Sequence, residues 1–347
     1  MKCKNSSGKE ERFLEKHRGT LLLTRSELAD LMTMDDYIRG IEDTFRMHGE
    51  GSTYGTDMIH GDTPSDIEFH IKAGGLKLGN SLYYGLKINA SSFSNMERFG
   101  LPNIMGAILL FDAEKGIPLA IVDSIDPTIK RTGAGTAVAA KYLARDNSET
   151  LTICGCGNQG RIQLTFVKEM LPVNHVFAFD QNERVSTEYA ERMGQELSIR
   201  VEATRDLARA VGQSDIVVTC TPSKRPFLRK EFIRPGTFVA AIGADSPDKW
   251  ELEPTLLQGT KVVVDILEQC AIAGELHHAL EMGIIAKEDV HGEIGQIVAG
   301  KKPGRESDDE IIVYDSTGTA LQDTAAAVIC YEKALSSQKG RYISFFD

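Results

Sequence analysis

Three glycines, at residues 155, 157 and 160 of the stretch "ICGCGNQGRIQL", have the G-x-G-x-x-G spacing. They follow the apolar run "LTIC" and open a helical pattern, "NQGRIQLTFVKEML". In that setting each glycine has its own task. Gly155 permits a tight turn, Gly157 lets a pyrophosphate approach the backbone, and Gly160 lets helix and strand pack closely. The start of the helix, with Asn158 and Gln159, then points its amide groups at the anion. Twenty residues on, "HVFAFD" ends in Asp180, which is placed to accept hydrogen bonds from an adenosine ribose and to repel a 2'-phosphate. The spacing predicts NAD rather than NADP. Arg184, close by, is the residue that works against this preference, since an arginine there can stack on adenine or meet a phosphate.

Cys154 and Cys156 allow a second reading of the same stretch, as half of a zinc site. The ligands still needed would be His277 and His278, which lie far along the chain in a helical pattern, so no metal is expected and the cysteines read as small packed residues. Cys220 has no base near it in sequence to make it a nucleophile. With Thr221 and Pro222 it ends an apolar run and is expected to border the nicotinamide, while Thr317 and Gly318, opening a helix over 316–335, border it from the opposite side.

The elements that must carry these residues follow from hydrophobic period. From Glu149 onward, apolar runs such as "LTICGCG", "HVFAFD", "IRVEAT", "DIVVTCT", "TFVAAIGAD" and "KVVVDI" alternate with helical patterns, which predicts a parallel sheet covered on both faces. Residues before that read differently. A short strand and two helices, capped at Thr24 or Ser26 and at Thr33, precede β-rich runs, among them a hairpin turning at "DAEKG". That pattern predicts an α+β region with an antiparallel or mixed sheet. An alanine-rich helix over 131–145 joins the two regions.

Length and charge bound the rest. At 347 residues two domains are expected, and no apolar run reaches the 18 residues of a membrane span. The net charge of -11, with no dense Lys/Arg block, argues against nucleic acid and for a small-molecule partner. Residues 1–19 are polar and charged with no apolar core of a signal peptide, so they read as a mobile arm. Six scattered cysteines fit reduced thiols in the cytoplasm.

Several stretches together resemble the ornithine cyclodeaminase / mu-crystallin family. They are "YYGLKINASS", "ILLFDAEKGIPLAIVDSIDPTIKRTGAGTAVAAKYLAR", "ICGCGNQGRIQL", "IGADSPDKWEL" and "YDSTGTALQD", and the resemblance covers about residues 20 to 337. It implies an α/β protein: a Rossmann dinucleotide-binding domain, over 131–319, and an α+β substrate and dimerisation domain built from both chain ends, over 20–130 and 320–347. It further implies a homodimer and chemistry at the Cα of an amino or imino acid. Carried over by motif, Lys87 and Arg131 hold the substrate carboxylate and Asp245 faces the substrate nitrogen as acid and base.

A bidentate guanidinium with a lysine suits a carboxylate. The bland alternatives are a strand-edge lysine for Lys87, an ion pair with Asp123 or Asp126 for Arg131, and a helix cap for Asp245. A further family arginine, in a strand before the lysine, has no counterpart in "TDMIHGD", which leaves His60 or Lys72 to take its place. The expected activity is an NAD(H)-dependent oxidoreductase on a small amino or imino acid. A cyclodeaminase that recycles its NAD, and a non-catalytic nucleotide binder, are the alternatives left open.

Overall fold

The computed structural model describes residues 19–64, 67–92 and 94–344, so the expected N-terminal arm lies, Gly19 apart, outside the described residues. The chain forms two units. One comprises the chain up to Thr33, Tyr54–Pro127 and the chain from Asp323; the other comprises Met34–Thr53 and Thr128–Gln322. Among the described residues no helix is long and apolar enough to cross a membrane.

In the first unit the alternating runs form strands β1 (Thr20–Leu23), β2 (Thr53–Asp62), β3 (Glu68–Leu78), β4 (Ser81–Ser91), β5 (Ile104–Asp112) and β6 (Ile117–Asp123). With a C-terminal strand, Arg341–Ile343, they make one sheet in the order C-terminal strand, β1, β6, β5, β4, β3, β2. The sheet is mixed, as expected: β1 runs parallel to β6, while β3 to β6 pair antiparallel. The hairpin at "DAEKG" is present, with Asp112 accepting the amides of Glu114 and Lys115. Thr24 caps the first short helix in a capping box with Glu27. Strand β2 is not announced by the sequence pattern, because "TYGTDMIHGD" is polar on both faces and forms the sheet's edge.

One face of this sheet is the core. In register across it lie Leu21, Ala120, Leu110 and Gly85, and beside them Leu23, Val122, Ile108 and Lys87. Gly74 stands opposite Gly85. A Cβ on Gly85 would collide with the Thr324 side chain, whose hydroxyl donates to the Gly74 carbonyl at 2.9 Å. The absence of a side chain at Gly85 therefore lets the helix Ala320–Ser337 lie directly on the sheet at that point.

The second unit is a parallel sheet. Its strands are β7 (Thr150–Cys154), β8 (His175–Phe179), β9 (Arg200–Ala203), β10 (Ile216–Thr219), β12 (Phe238–Ala241), β14 (Lys261–Val264), β15 (Gly292–Glu293) and β16 (Ile312–Asp315), with β11 (Lys224–Leu228) and β13 (Trp250–Leu252) forming a separate pair. The order β15, β14, β16, β12, β10, β7, β8, β9 reverses direction between β7 and β10, which is the switch point at which sheets of this kind bind ligands. Strands β10 and β12 are buried throughout, which is why they read as continuous apolar runs. Cys154, Thr219, Ala241, Asp315 and Val264 are in register, so the loops after five strands start from one level.

Two helices differ from expectation. The helix expected over 131–145 runs from Ile125 to Leu143, with Pro127 in its first turn, where a missing N–H is tolerated. The helix expected over 316–335 begins only at Ala320. Ser316 and Gly318 donate instead to the Asp265 carboxylate, and Gly318 has φ +72°, so this segment's bonds are drawn away from a helix.

Buried acids lie along the carboxyl edge of the parallel sheet. Burial, with the charge of Asp265 adding, pushes the Asp315 carboxyl up to about 7. Burial beside Glu251 pushes Glu275 up as well.

Two outcomes are expected. Gly85→Ala forces the helix off the sheet and lowers stability by about 1–3 kcal/mol in urea unfolding. Because the folded state keeps the Asp315 proton that the unfolded chain releases near pH 4, stability from this group is lost as pH rises towards about 7. The thermal midpoint of Asp315→Asn should therefore change less between pH 5 and pH 8 than that of the unaltered chain; equal changes would show that Asp315 is ionised throughout.

Candidate active site

The glycine turn leaves β7 with each glycine under a different constraint. Gly155 has φ +103°, and a Cβ there would lie 2.9 Å from the Cys220 carbonyl and 3.0 Å from the Thr221 methyl. A Cβ on Gly160 would collide with the Gly155 carbonyl, which is the close packing of helix on strand. At Gly157 a Cβ would meet nothing within 4 Å. The protein itself has no steric need for glycine there, so the need comes from outside the chain. Gly157 also caps the helix Asn158–Met170 without a side-chain bond, which leaves the first amides of the helix available to an anion.

Asp180, at the end of β8, accepts the Cys156 amide at 3.0 Å and the Asn182 amide at 2.9 Å. Its charge is thereby fixed beside the turn. Arg184 points into solvent and pairs with Glu188, Nε to Oε1 2.6 Å. Asn158 accepts from Arg161, and Gln159 accepts from Gln163 at 3.4 Å.

The cysteines are packing residues here. Cys154 is fully buried, Cys156 nearly so with its thiol on the Phe179 carbonyl, and the Cys220 thiol lies on the Gly155 carbonyl at 3.4 Å. Burial, with Asp180 adding, pushes the Cys156 thiol up to about 12, and burial raises Cys154 and Cys220 as well. Thiols held in this way are poor nucleophiles and poor metal ligands. His277, His278 and Glu281 do bring their ligand atoms within 4.8 Å of one another. However, the His278 ring stacks on Trp250, with centroids 4.4 Å apart, and its Nε2 lies 2.9 Å from the Lys249 carbonyl. His278 is thus a buried packing residue.

Asp245 follows β12 at the same edge. No helix starts after it, so it caps nothing; its Oδ1 meets the Lys249 ammonium at 2.5 Å. Lys249 was not singled out in the sequence, although acid and lysine four apart in "DSPDK" give the pair away. Glu251 was also missed. Fully buried, it accepts the Thr221 amide and hydroxyl, each at 2.7 Å, and the Gly243 amide at 2.9 Å. Thr317, 3% exposed, turns its hydroxyl to Asp265 at 3.4 Å and precedes the last helix instead of opening it. Arg131 sits in the second turn of its helix rather than at its start. It is 5% exposed, donates to Gln322 Oε1 at 3.3 Å and lies against the backbone of Gly318. Asp123, one of the partners considered for it, is engaged by Arg25.

The first unit supplies the lysines. Lys87 is not at a strand edge: β4 lies between β3 and β5, and the residue is 3% exposed. Its ammonium meets Asp323 Oδ2 at 2.6 Å. Lys72, equally buried, stands directly opposite it on β3, so two ammonium groups share one face. His60 lies exposed on the edge strand β2, with its ring edge-on to that of His70 at 4.8 Å.

Comparison with known proteins agrees along nearly the whole chain. The sequence pattern of the ornithine cyclodeaminase/mu-crystallin family matches residues 18–338. An alanine dehydrogenase of Archaeoglobus fulgidus is 38% identical over 333 residues, which are 94% of this chain and 99% of that protein. Among solved structures, an archaeal alanine dehydrogenase dimer with bound NAD superposes with a TM-score of 0.89 at 38% identity, covering 94% of this chain and 99% of that one. The Thermococcus litoralis Δ1-pyrroline-2-carboxylate reductase, in complex with NADH and L-proline, gives 0.88 at 31% identity, covering 93% and 100%. By motif, fold and near-complete coverage, the chain belongs to the ornithine cyclodeaminase/mu-crystallin family.

Proposed function

We propose that the protein is an NAD(H)-dependent oxidoreductase acting at the Cα of a small amino or imino acid. The observation that carries this reading is the glycine turn at the sheet's switch point, where Gly157 is bare although no protein atom requires it. The relatives named above, dehydrogenase and reductase with NAD or NADH bound, support the same cofactor and reaction class. The Asp180 charge, held by two backbone amides, supports NAD over NADP.

With its pyrophosphate held at the turn, the cofactor would supply hydride exchange with the substrate Cα through its nicotinamide. The chain's own residues do the rest. Lys87, with Lys72 beside it on the same face, and Arg131 hold the substrate carboxylate; the guanidinium adds a fixed planar fork that an ammonium lacks. Lys72 rather than exposed His60 takes the place of the family's missing arginine. Asp245 accepts or returns the proton on the substrate nitrogen or on water, with the Lys249 ammonium against its Oδ1. Thr221 and Thr317 would border the nicotinamide, with their hydroxyls turned to Glu251 and Asp265. A homodimer is supported by the dimer described for the archaeal relative, and a cytoplasmic location by free thiols at all five described cysteines.

The test is a panel of amino acids with NAD+, and of cyclic imino acids or 2-oxo acids with ammonium and NADH, followed at the nicotinamide absorbance band. Steady turnover of the cofactor with one member of the panel is expected. Ammonia and a cyclic imino acid from ornithine or lysine, without accumulation of NADH, would replace this reading by a cyclodeaminase. Gly157→Ala should weaken NADH binding about tenfold while the thermal midpoint falls by only the modest cost of losing a glycine N-cap, because the new Cβ meets no protein atom. Asp245→Asn should lower kcat about 10²-fold or more while NADH still binds; full activity in that variant would remove Asp245 from the reaction.

A further inference from the structure

Glu251 belongs to neither the cofactor turn nor the substrate residues, yet its carboxylate joins the loops that carry them. Oε1 takes both donors of Thr221, in the loop after β10, and Oε2 takes the amide of Gly243, in the loop after β12. These strands are neighbours in the sheet. Gly243 must be glycine because a Cβ there would run into the Glu251 carboxylate. Thr221 in turn presses its methyl toward Gly155, while Cys220 beside it bonds the Gly155 carbonyl. The strand that carries Glu251 is itself pinned from behind, where the Glu275 carboxylate accepts the amides of Glu251 at 2.8 Å and Leu252 at 3.0 Å.

We infer that Glu251 is a positioning residue for the reaction: its buried carboxylate clamps the Thr221 loop to the Gly243 loop, and so fixes Asp245, two residues on, relative to the cofactor turn. The inference rests on the function proposed above, since Asp245's work on a proton is what the fixed position serves. Three donors converge on the two oxygens, and while burial pushes the Glu251 carboxyl up these bonds favour its ionised form, which is the pattern of a carboxylate used as a fastener. Misplacing a reacting group by about an ångström can cost about a hundredfold in rate, so a clamp of this kind acts on kcat before it acts on binding.

Glu251→Gln tests this with little change of volume. Its single carbonyl oxygen can keep Thr221 or Gly243, but its amide meets the other N–H donor to donor, so one side of the clamp opens in either orientation. Four quantities are read on the full chain: thermal midpoint, NADH Kd by fluorescence, kcat and KM on the active substrate, and hydrogen exchange of the segments around Thr221 and Gly243. The expected result is a folded protein with NADH affinity within about threefold, kcat lowered about 10–100-fold and faster exchange in one of the two segments. Glu251→Asp, which keeps the charge but is one methylene short, should lose kcat in the same way, and it carries the test if the glutamine variant does not fold. Unchanged kcat, or a loss of kcat matched by loss of NADH affinity, would overturn the inference and leave Glu251 a structural bridge. Should the unaltered chain turn over no member of the panel, the proposed function fails on its own, and unchanged exchange in the variant would still overturn the clamp.

Discussion

Backbone N–H groups left over where parallel strands end are the constraint on which the rest of this structure depends. A strand in the middle of the sheet has its amides paired, whereas the loop that follows must turn, under cover, with amides that no neighbour takes up. This chain answers repeatedly with a carboxylate. Asp180 takes Cys156 and Asn182, Glu251 takes Thr221 and Gly243, and Asp265 takes Ile266 and Gly318, while Glu275 does the same for two amides within strand β13, those of Glu251 and Leu252. Each acid satisfies two amides at once, and the first three so couple two points of irregular backbone. The loops that a ligand meets are held as firmly as the strands that present them. The consequence is a row of acids in surroundings that disfavour their charge, with Asp315 and Glu275 pushed up by burial.

The first unit solves a different problem, that of keeping charge on an apolar face. Lys87 stands in register with Ile108 and next to Gly85, on the side where Leu110 and Val122 form the core. Such a lysine needs a fixed partner, and Asp323 reaches it because Gly85 admits the helix at close range. The bare backbone at Gly85 thus sets the position of an ion pair made by the residue next to Thr324 in the helix.

Much of this was legible in the sequence where local pattern and tertiary role coincide. The G-x-G-x-x-G turn, the apolar strands and the hairpin at "DAEKG" were visible because the residues that form them are adjacent. The edge strand β2 was not, since a polar strand has no alternation to read. The early start of the helix at Ile125 was hidden by a proline that usually signals a break but is welcome in a first turn. The last helix started late because Asp265, more than fifty residues upstream, takes the bonds that would extend it. Of the candidate site, Lys87, Arg131 and Asp245 came from resemblance to a family and the Asp245–Lys249 pair was readable from its spacing, while Glu251 was passed over because its partners are set by the fold. Within "DKWEL" a buried glutamate looks the same as a surface one.

On the proposed assignment, Lys72 in place of the family's arginine changes what the grip on a carboxylate can ask of its ligand. A guanidinium dictates orientation, because its fork matches both oxygens of a carboxylate in one plane, whereas an ammonium is a compact point charge that accepts an oxygen from many directions. With two lysines facing each other across β3 and β4, the first unit supplies charge with little angular demand. On the proposed assignment, orientation then falls to Arg131, which is buried, bonded to Gln322 and backed by the Gly318 backbone, and so has little freedom of its own. Selection among amino and imino acids would follow from side-chain size and the reach of Asp245 more than from the geometry of the carboxylate grip.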